Sequence, residues 1–317
     1  MEKILFKPAK IEDPDVIEKA LNRVEAVMLN VVNSDVDPLT DASKHILLAG
    51  GKRVRPRLIM LAYAALGGAN FKGLAPVAAA LELVHTASVV HDDINDHGVM
   101  RRGRPSVNKL WGRTFALLTG DFLFTKVYEL MAPYGDLNII FAEATVALVE
   151  GETLQASAVK ESNFTREVYM DIIARKTASL FKGGAELAAT YAQASTEEVE
   201  AMGRYGYNVG LAFQIIDDIL DIVGDEKQLG KTAGIDLEQG KGFVSANGQK
   251  ENGHGASSEN GDMMENIKAK LLDNIDEARM QAQSLVMMAI EELNILPESS
   301  EKEQLIELAH SVVDRTV

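Results

Sequence analysis

Three aspartates and a pair of arginines crowd the end of the stretch LELVHTASVVHDDINDHGVMRRGR, residues 81–104. On a helix, residues four apart lie one above the other, so Asp92 and Asp96 project from one face with Asp93 beside them. Three carboxylates within about one turn repel one another, by a few tenths of a kcal/mol per close pair on an exposed helix. Gly98 places the helix end nearby, where the macrodipole also disfavours negative charge. Local helix physics therefore opposes the cluster, and a cation would offset it. Mg2+ suits oxygen ligands and commonly joins one or two carboxylates to substrate phosphates. For a lone copy of the pattern, a solvated helix end is the alternative.

The pattern recurs at Asp217, Asp218 and Asp221, in FQIIDDILDIVGD. This copy sits inside an apolar run of Ile215, Ile216, Ile219, Leu220 and Ile222, where charge is costly unless paired or metal-bound. Two copies on two amphipathic helices can face each other across a cavity. Two basic clusters accompany them: Lys52, Arg53, Arg55 and Arg57 after Gly50-Gly51, and Arg101, Arg102 and Arg104 after the first aspartates. Arg grips a phosphate with paired hydrogen bonds, and Lys acts as a point charge. His85 lies seven residues before Asp92, nearly two turns, and shares its face.

The elements that must position these residues are helical. Val16, Ile17, Ala20, Leu21, Val24, Val27, Met28, Val31 and Val32 recur at helical spacing behind Asp13-Pro14. Further helices are predicted over 41–49, from Pro56 to Gly67-Gly68, and over 74–97, 114–132, 136–158, 165–192, 196–223, 263–293 and 299–315. Period-two alternation is absent, so the expectation is an all-α, single-domain bundle spanning 1–317, of roughly ten or more helices. Residues 242–262, GFVSANGQKENGHGASSENGD, are rich in Gly, Ser and Asn and read as a flexible loop. The chain has no cysteine, which excludes disulfides and thiolate metal sites. Its net charge of −15 argues against nucleic-acid and anionic-membrane binding. No transmembrane run or signal peptide is expected, and the predicted location is cytoplasmic.

Six stretches resemble the trans-isoprenyl diphosphate synthases: GGKRVRP at 50–56, HDDINDHGVMRRGRPSV at 91–107, TGDFLF at 119–124, ARKTASLF at 174–181, FQIIDDILD at 213–221 and GKTAGIDLEQGK at 230–241. They stand in the family's order. The chain departs from the family pattern after Lys241, where an apolar helix containing Leu-Pro is missing. The resemblance implies a helical bundle around a deep central cavity, usually in a homodimer.

It also implies a division of labour. Lys52, Arg53, His85 and Arg102 would bind isopentenyl diphosphate. Asp92, Asp93, Asp96, Asp217 and Asp218, with Asp221 nearby, would hold Mg2+, about three ions per site. Arg101, Lys176, Thr177, Gln214, Lys231 and Lys241 would complete the cage of an allylic diphosphate (dimethylallyl, geranyl or farnesyl). Within that set Asp92, Asp93, Asp96, Arg101, Lys176, Asp217, Asp218 and Lys231 would carry the catalysis. Phe213 could steady positive charge or simply belong to the core. The implied reaction is prenyl transfer with chain elongation; a regulatory subunit without activity and a metal-dependent terpene cyclase are the alternatives. Four and five residues before Asp92 stand Ser88 and Ala87, where bulky aromatic residues give short products in the family. Their small size implies a product of geranylgeranyl length or beyond, with Val84 and Leu81 next along the same helix. Phe122, Tyr128, Met131 and Phe141 are further candidates for the floor.

Overall fold

A computed structural model describes residues 15–161, 163–223 and 260–315, the last stretch with side chains from Asn274 onward. In chain order the helices are α1 (Val16–Val31), α2 (Asp37–Leu47), α3 (Val54–Ala65), α4 (Phe71–Asn95), α5 (Val107–Trp111), α6 (Arg113–Met131), α7 (Leu137–Lys160), α8 (Arg166–Ile173), α9 (Ser179–Tyr191), α10 (Thr196–Val223), α11 (Asn260–Glu292) and α12 (Ser300–Val313). The fold is all-α, as the sequence predicts. On α1 the buried face is Ile17, Ala20, Leu21, Val24, Met28 and Val31, the stripe read from helical spacing.

Several boundaries differ from expectation for local reasons. Helix α2 starts at Asp37 rather than Asp41, because Asp37-Pro38 supplies a proline in the first turn. Helix α4 starts at Phe71, capped by the Asn70 side chain, which accepts from the Gly73 N–H. The expected single helix over 165–192 is two helices, α8 and α9, joined by a π-turn at Ala174–Ala178. Residues 260–262, expected to be loop, already belong to the first turn of α11; the rest of the expected loop, 242–259, lies outside the described residues.

A small hairpin interrupts the helices. Met100–Arg101 (β1) pairs antiparallel with Arg104–Pro105 (β2). Its two-residue turn has φ of +52° at Arg102 and +73° at Gly103, the left-handed pair of a type I′ turn. His45 on α2 holds the hairpin through a 2.8 Å hydrogen bond to the Pro105 carbonyl.

Helix α4 is long and apolar enough to span a membrane by length and composition, a feature the sequence reading did not anticipate, yet 78% of that window is buried. Leu74, Ala79, Leu81 and Val84 are fully covered, so α4 is the central core helix. It packs on α1, α3, α6 and α9, and α9 in turn packs on α3, α7 and α10. Small residues allow this closeness. A Cβ at Gly210 would sit 2.7 Å from the Ala178 Cα, and one at Gly184 would meet Ile59 and Leu81. The chain thereby brings the C-terminal ends of α4 and α10, with their aspartates, to the same cavity.

Candidate active site

The cavity holds about 760 Å³, within the range of roughly 300–1,000 Å³ usual for small-molecule sites. Asp92, Asp93 and Asp96 line it from α4, and Asp217 and Asp218 from α10; Asp221 is buried one turn further along α10. Both clusters lie in the last turns of their helices, where the macrodipole already disfavours negative charge. Internal cations answer them. Arg101 donates from Nη2 and Nε to Asp93 Oδ1 at 2.6 and 3.0 Å. Lys176 Nζ lies 3.3 Å from Asp92 and 2.9 Å from Glu152. Arg315 donates to Asp217 at 2.7 Å.

Burial pushes the Asp93 carboxyl above the usual carboxylate range, Arg101 pulls it back, and Asp92 and Asp96 push it up again. Its second oxygen, Oδ2, is buried with no hydrogen-bond partner. A paired but still strained carboxylate with a bare oxygen on a polar cavity fits a hard cation. Glu152 repeats the theme on α7. Its Oε1 is buried without a partner, and burial, reinforced by Asp92 and opposed by Lys176, pushes its carboxyl up to about 7.

The second aspartate cluster is oriented by a chain of hydrogen bonds. Thr177 donates to Gln214 at 2.8 Å, and Gln214 donates to Asp218 Oδ1 at 2.8 Å. Tyr169 donates to Asp218 Oδ2 at 2.7 Å. Lys176 and Thr177 both come from the π-turn, a distortion frequent at functional sites. Gly151 on α7 makes room for it, since a Cβ there would lie 2.5 Å from the Lys176 nitrogen.

The other wall is basic. Lys52, Arg53, Arg55, His85 and Arg102 all line the cavity, but the three arginine guanidinium groups are used differently. Arg53, with φ of +46°, donates to Glu25 at 3.1 Å, to Glu82 at 3.1 Å and to the Leu47 carbonyl at 2.9 Å. Arg102 bonds the Gly50 carbonyl, and its guanidinium occupies the space a Cβ at Gly51 would need. Arg55 is buried against Phe181, its Cζ 4.7 Å from the ring centroid, and its Nε has no partner. Sequence reading noted Arg55 only as one member of a basic run; its approach to the cavity comes from three-dimensional packing. Burial, then Arg55, Arg102, Arg101 and Arg53, keep the His85 imidazole well below its ordinary value, so it is neutral.

Of the residues suggested for chain length, Ser88 lines the cavity, while Ala87, Val84 and Leu81 are fully buried. Phe213 lines the cavity and packs on Phe181. Lys231 and Lys241 lie outside the described residues. Tyr169 and Arg315 are further cavity residues the sequence did not single out; neither carries a local pattern of its own.

Residues 36–277 match the polyprenyl synthetase family. The chain belongs to that family. As a member it is similar to octaprenyl diphosphate synthase of Escherichia coli strain K12, at 35% identity over 92% of this chain and 94% of the relative. It is similar also to a short chain isoprenyl diphosphate synthase of Methanothermobacter thermautotrophicus, at 36% identity over 89% and 92%. Among solved structures, heptaprenyl diphosphate synthase of Staphylococcus aureus superposes with a TM-score of 0.85 at 31% identity, covering 95% of this chain and 99% of that one. A polyprenyl synthase of Caulobacter crescentus, in complex with calcium and isoprenyl diphosphate, gives 0.84 at 32% identity over 94% and 95%. The fold is thus the isoprenoid synthase bundle, and the protein is a prenyltransferase of this family.

Proposed function

We propose that the protein condenses isopentenyl diphosphate with an allylic diphosphate, in a metal-dependent elongation that yields an all-trans product of geranylgeranyl length or longer. One observation carries the reading: two aspartate clusters at two helix ends line a single cavity whose opposite wall is basic. Asp92, Asp93, Asp96, Asp217 and Asp218, supported by Asp221, would hold Mg2+, and about three ions suit the number of carboxylates. When bound, Mg2+ neutralises the leaving diphosphate and so eases ionisation of its C–O bond.

The protein's own residues do the rest. Arg101, Lys176, Thr177 and Gln214 ring the allylic diphosphate, a task Lys231 and Lys241 would share. Lys52, Arg55, neutral His85 and Arg102 take the second diphosphate. Arg53 supports them by fixing the loop between α2 and α3 through Glu25, Glu82 and Leu47. Holding the two substrates side by side supplies much of the rate through proximity and orientation. Phe213 offers a π face to developing positive charge.

A cytoplasmic homodimer is the proposed working form. Phe115, Leu117 and Leu118 on α6 and Val146 and Val149 on α7 are large apolar residues left about half exposed, as expected of faces that pair with a second copy. The test is incubation with labelled isopentenyl diphosphate, several allylic starters and Mg2+. Elongated products are expected, and Asp92→Ala or Asp218→Ala should cut turnover by about two orders of magnitude or more. Full activity in excess chelator, or near-normal turnover in both variants, overturns the proposal.

A further inference from the structure

Arg315 follows α12 and returns to the cavity 98 residues beyond Asp217. Its Nη1 lies 2.7 Å from Asp217 Oδ1, with side chains 12% and 40% exposed respectively. Its guanidinium carbon also stands 4.2 Å from the centroid of the Phe213 ring. Arg315 lines the cavity itself. A single side chain therefore covers a carboxylate assigned to the metal and an aromatic face assigned to the reaction's positive charge.

We propose that Arg315 is a built-in stand-in cation: it holds Asp217 in the metal-free protein and competes with Mg2+ for that carboxylate. The inference rests on the reading of Asp217 as a metal ligand. Its physical basis is the crowding of the site. Asp217 stands beside Asp218 and one turn from Asp221, at a helix end that disfavours negative charge. Without a cation the carboxylate is repelled by its neighbours, and a guanidinium relieves that repulsion in the metal's absence. Two cations on one carboxylate repel each other, so a divalent ion at Asp217 competes with the guanidinium that now holds its Oδ1. Displacement also uncovers Phe213 and leaves Arg315 on the cavity wall it shares with Lys52. Asp92 and Asp93 have comparable internal partners in Lys176 and Arg101, but those two come from motifs already tied to the diphosphates.

Linkage fixes the expected signs. A contact present only in the metal-free state stabilises that state and weakens metal binding by the same factor. Arg315→Gln should therefore lower the thermal midpoint of the full-length protein without metal, and the difference from wild type should vanish at saturating Mg2+. Mn2+ titrated into the substrate-free protein should bind the variant roughly two- to fivefold more tightly, the range expected for a partly exposed ion pair. On an Asp217→Asn background the Arg315→Gln increment should disappear, which separates competition at Asp217 from a general change in charge. A midpoint lowered equally with and without Mg2+ would mean that Arg315 is only a structural contact, and unchanged or weaker Mn2+ binding would also overturn the proposal. If wild type responds to neither ion, the metal reading of Asp217 fails and the inference fails with it. If wild type responds but the variant matches it, only the inference fails.

Discussion

Arg53 and Arg55 are two residues apart in one basic run, and their surroundings give them different work. Arg53 is tied by Glu25, Glu82 and a carbonyl, one bond from each of its nitrogens, while Arg55 keeps a bare Nε in the cavity wall. Arg55→Met should raise the KM for isopentenyl diphosphate by about ten- to a hundredfold, the value of a lost charged hydrogen bond. Arg53→Met should instead destabilise the fold by about 3 kcal/mol or more, because buried Glu82 loses its partner. Steady-state kinetics and urea unfolding of the two variants check the contrast, and a reversed pattern refutes it. His85 makes a pH prediction. Its folded-state pKa lies well below 6.5, so the unfolded chain takes up a proton first as pH falls. Stability should be full above about pH 6.5 and decline below it. His85→Gln should flatten that decline, and parallel urea midpoints across the pH series for wild type and variant would contradict it.

At the scale of elements, the long helices were legible because a 3.6-residue stripe survives over many turns, as on α1 and α10. The hairpin and the π-turn were not. Strands of two residues carry no alternation. The π-turn sequence ARKTA contains no Gly or Pro, so nothing marks a break; its cause lies partly on α7, where Gly151 lets the two backbones approach. The Asp217–Arg315 pair was invisible for a related reason, since sequence periodicity does not report contacts made across the bundle. Gly151→Ala should therefore act as overpacking, costing about 1–3 kcal/mol and lowering turnover by moving Lys176 away from Asp92. Denaturant unfolding and kinetics measure both effects. A variant that matches wild type in both would show that the approach of α7 to the π-turn is not critical.

For the whole molecule, the open question is where a long prenyl chain goes, and the helical frame limits the answers. In the proposed reaction the tail would start beside the aspartate clusters and extend away from them, along α4. Ser88 and Ala87 lie roughly 6 and 7.5 Å from Asp92 along that axis, and Val84 and Leu81 about 12 and 16.5 Å. Ser88 faces the cavity, with its hydroxyl bonded back to the His85 carbonyl, so on this route a tail would pass it first. Leu81 abuts Gly184 of α9, making it a wall between α4 and α9. Tyr128 is 76% exposed, which removes it as a floor within one subunit, whereas Met131 and Phe141 are buried and remain available. Relatives include both octaprenyl and short chain synthases, so similarity alone does not set the length, and the proposed long product rests on the small residues beside the first aspartates. Ser88→Phe should place a ring across the route while leaving the diphosphate sites intact. The expected result is normal condensation that stops near farnesyl length, against geranylgeranyl or longer in wild type, read by chromatography of the dephosphorylated products. Ala87→Phe should shorten the product too, with an added loss of stability of about 1–3 kcal/mol because Ala87 is fully packed. Unchanged product length in a folded Ser88→Phe enzyme would send the tail along another path, and a wild type that releases mainly farnesyl diphosphate would place the stop elsewhere in the bundle.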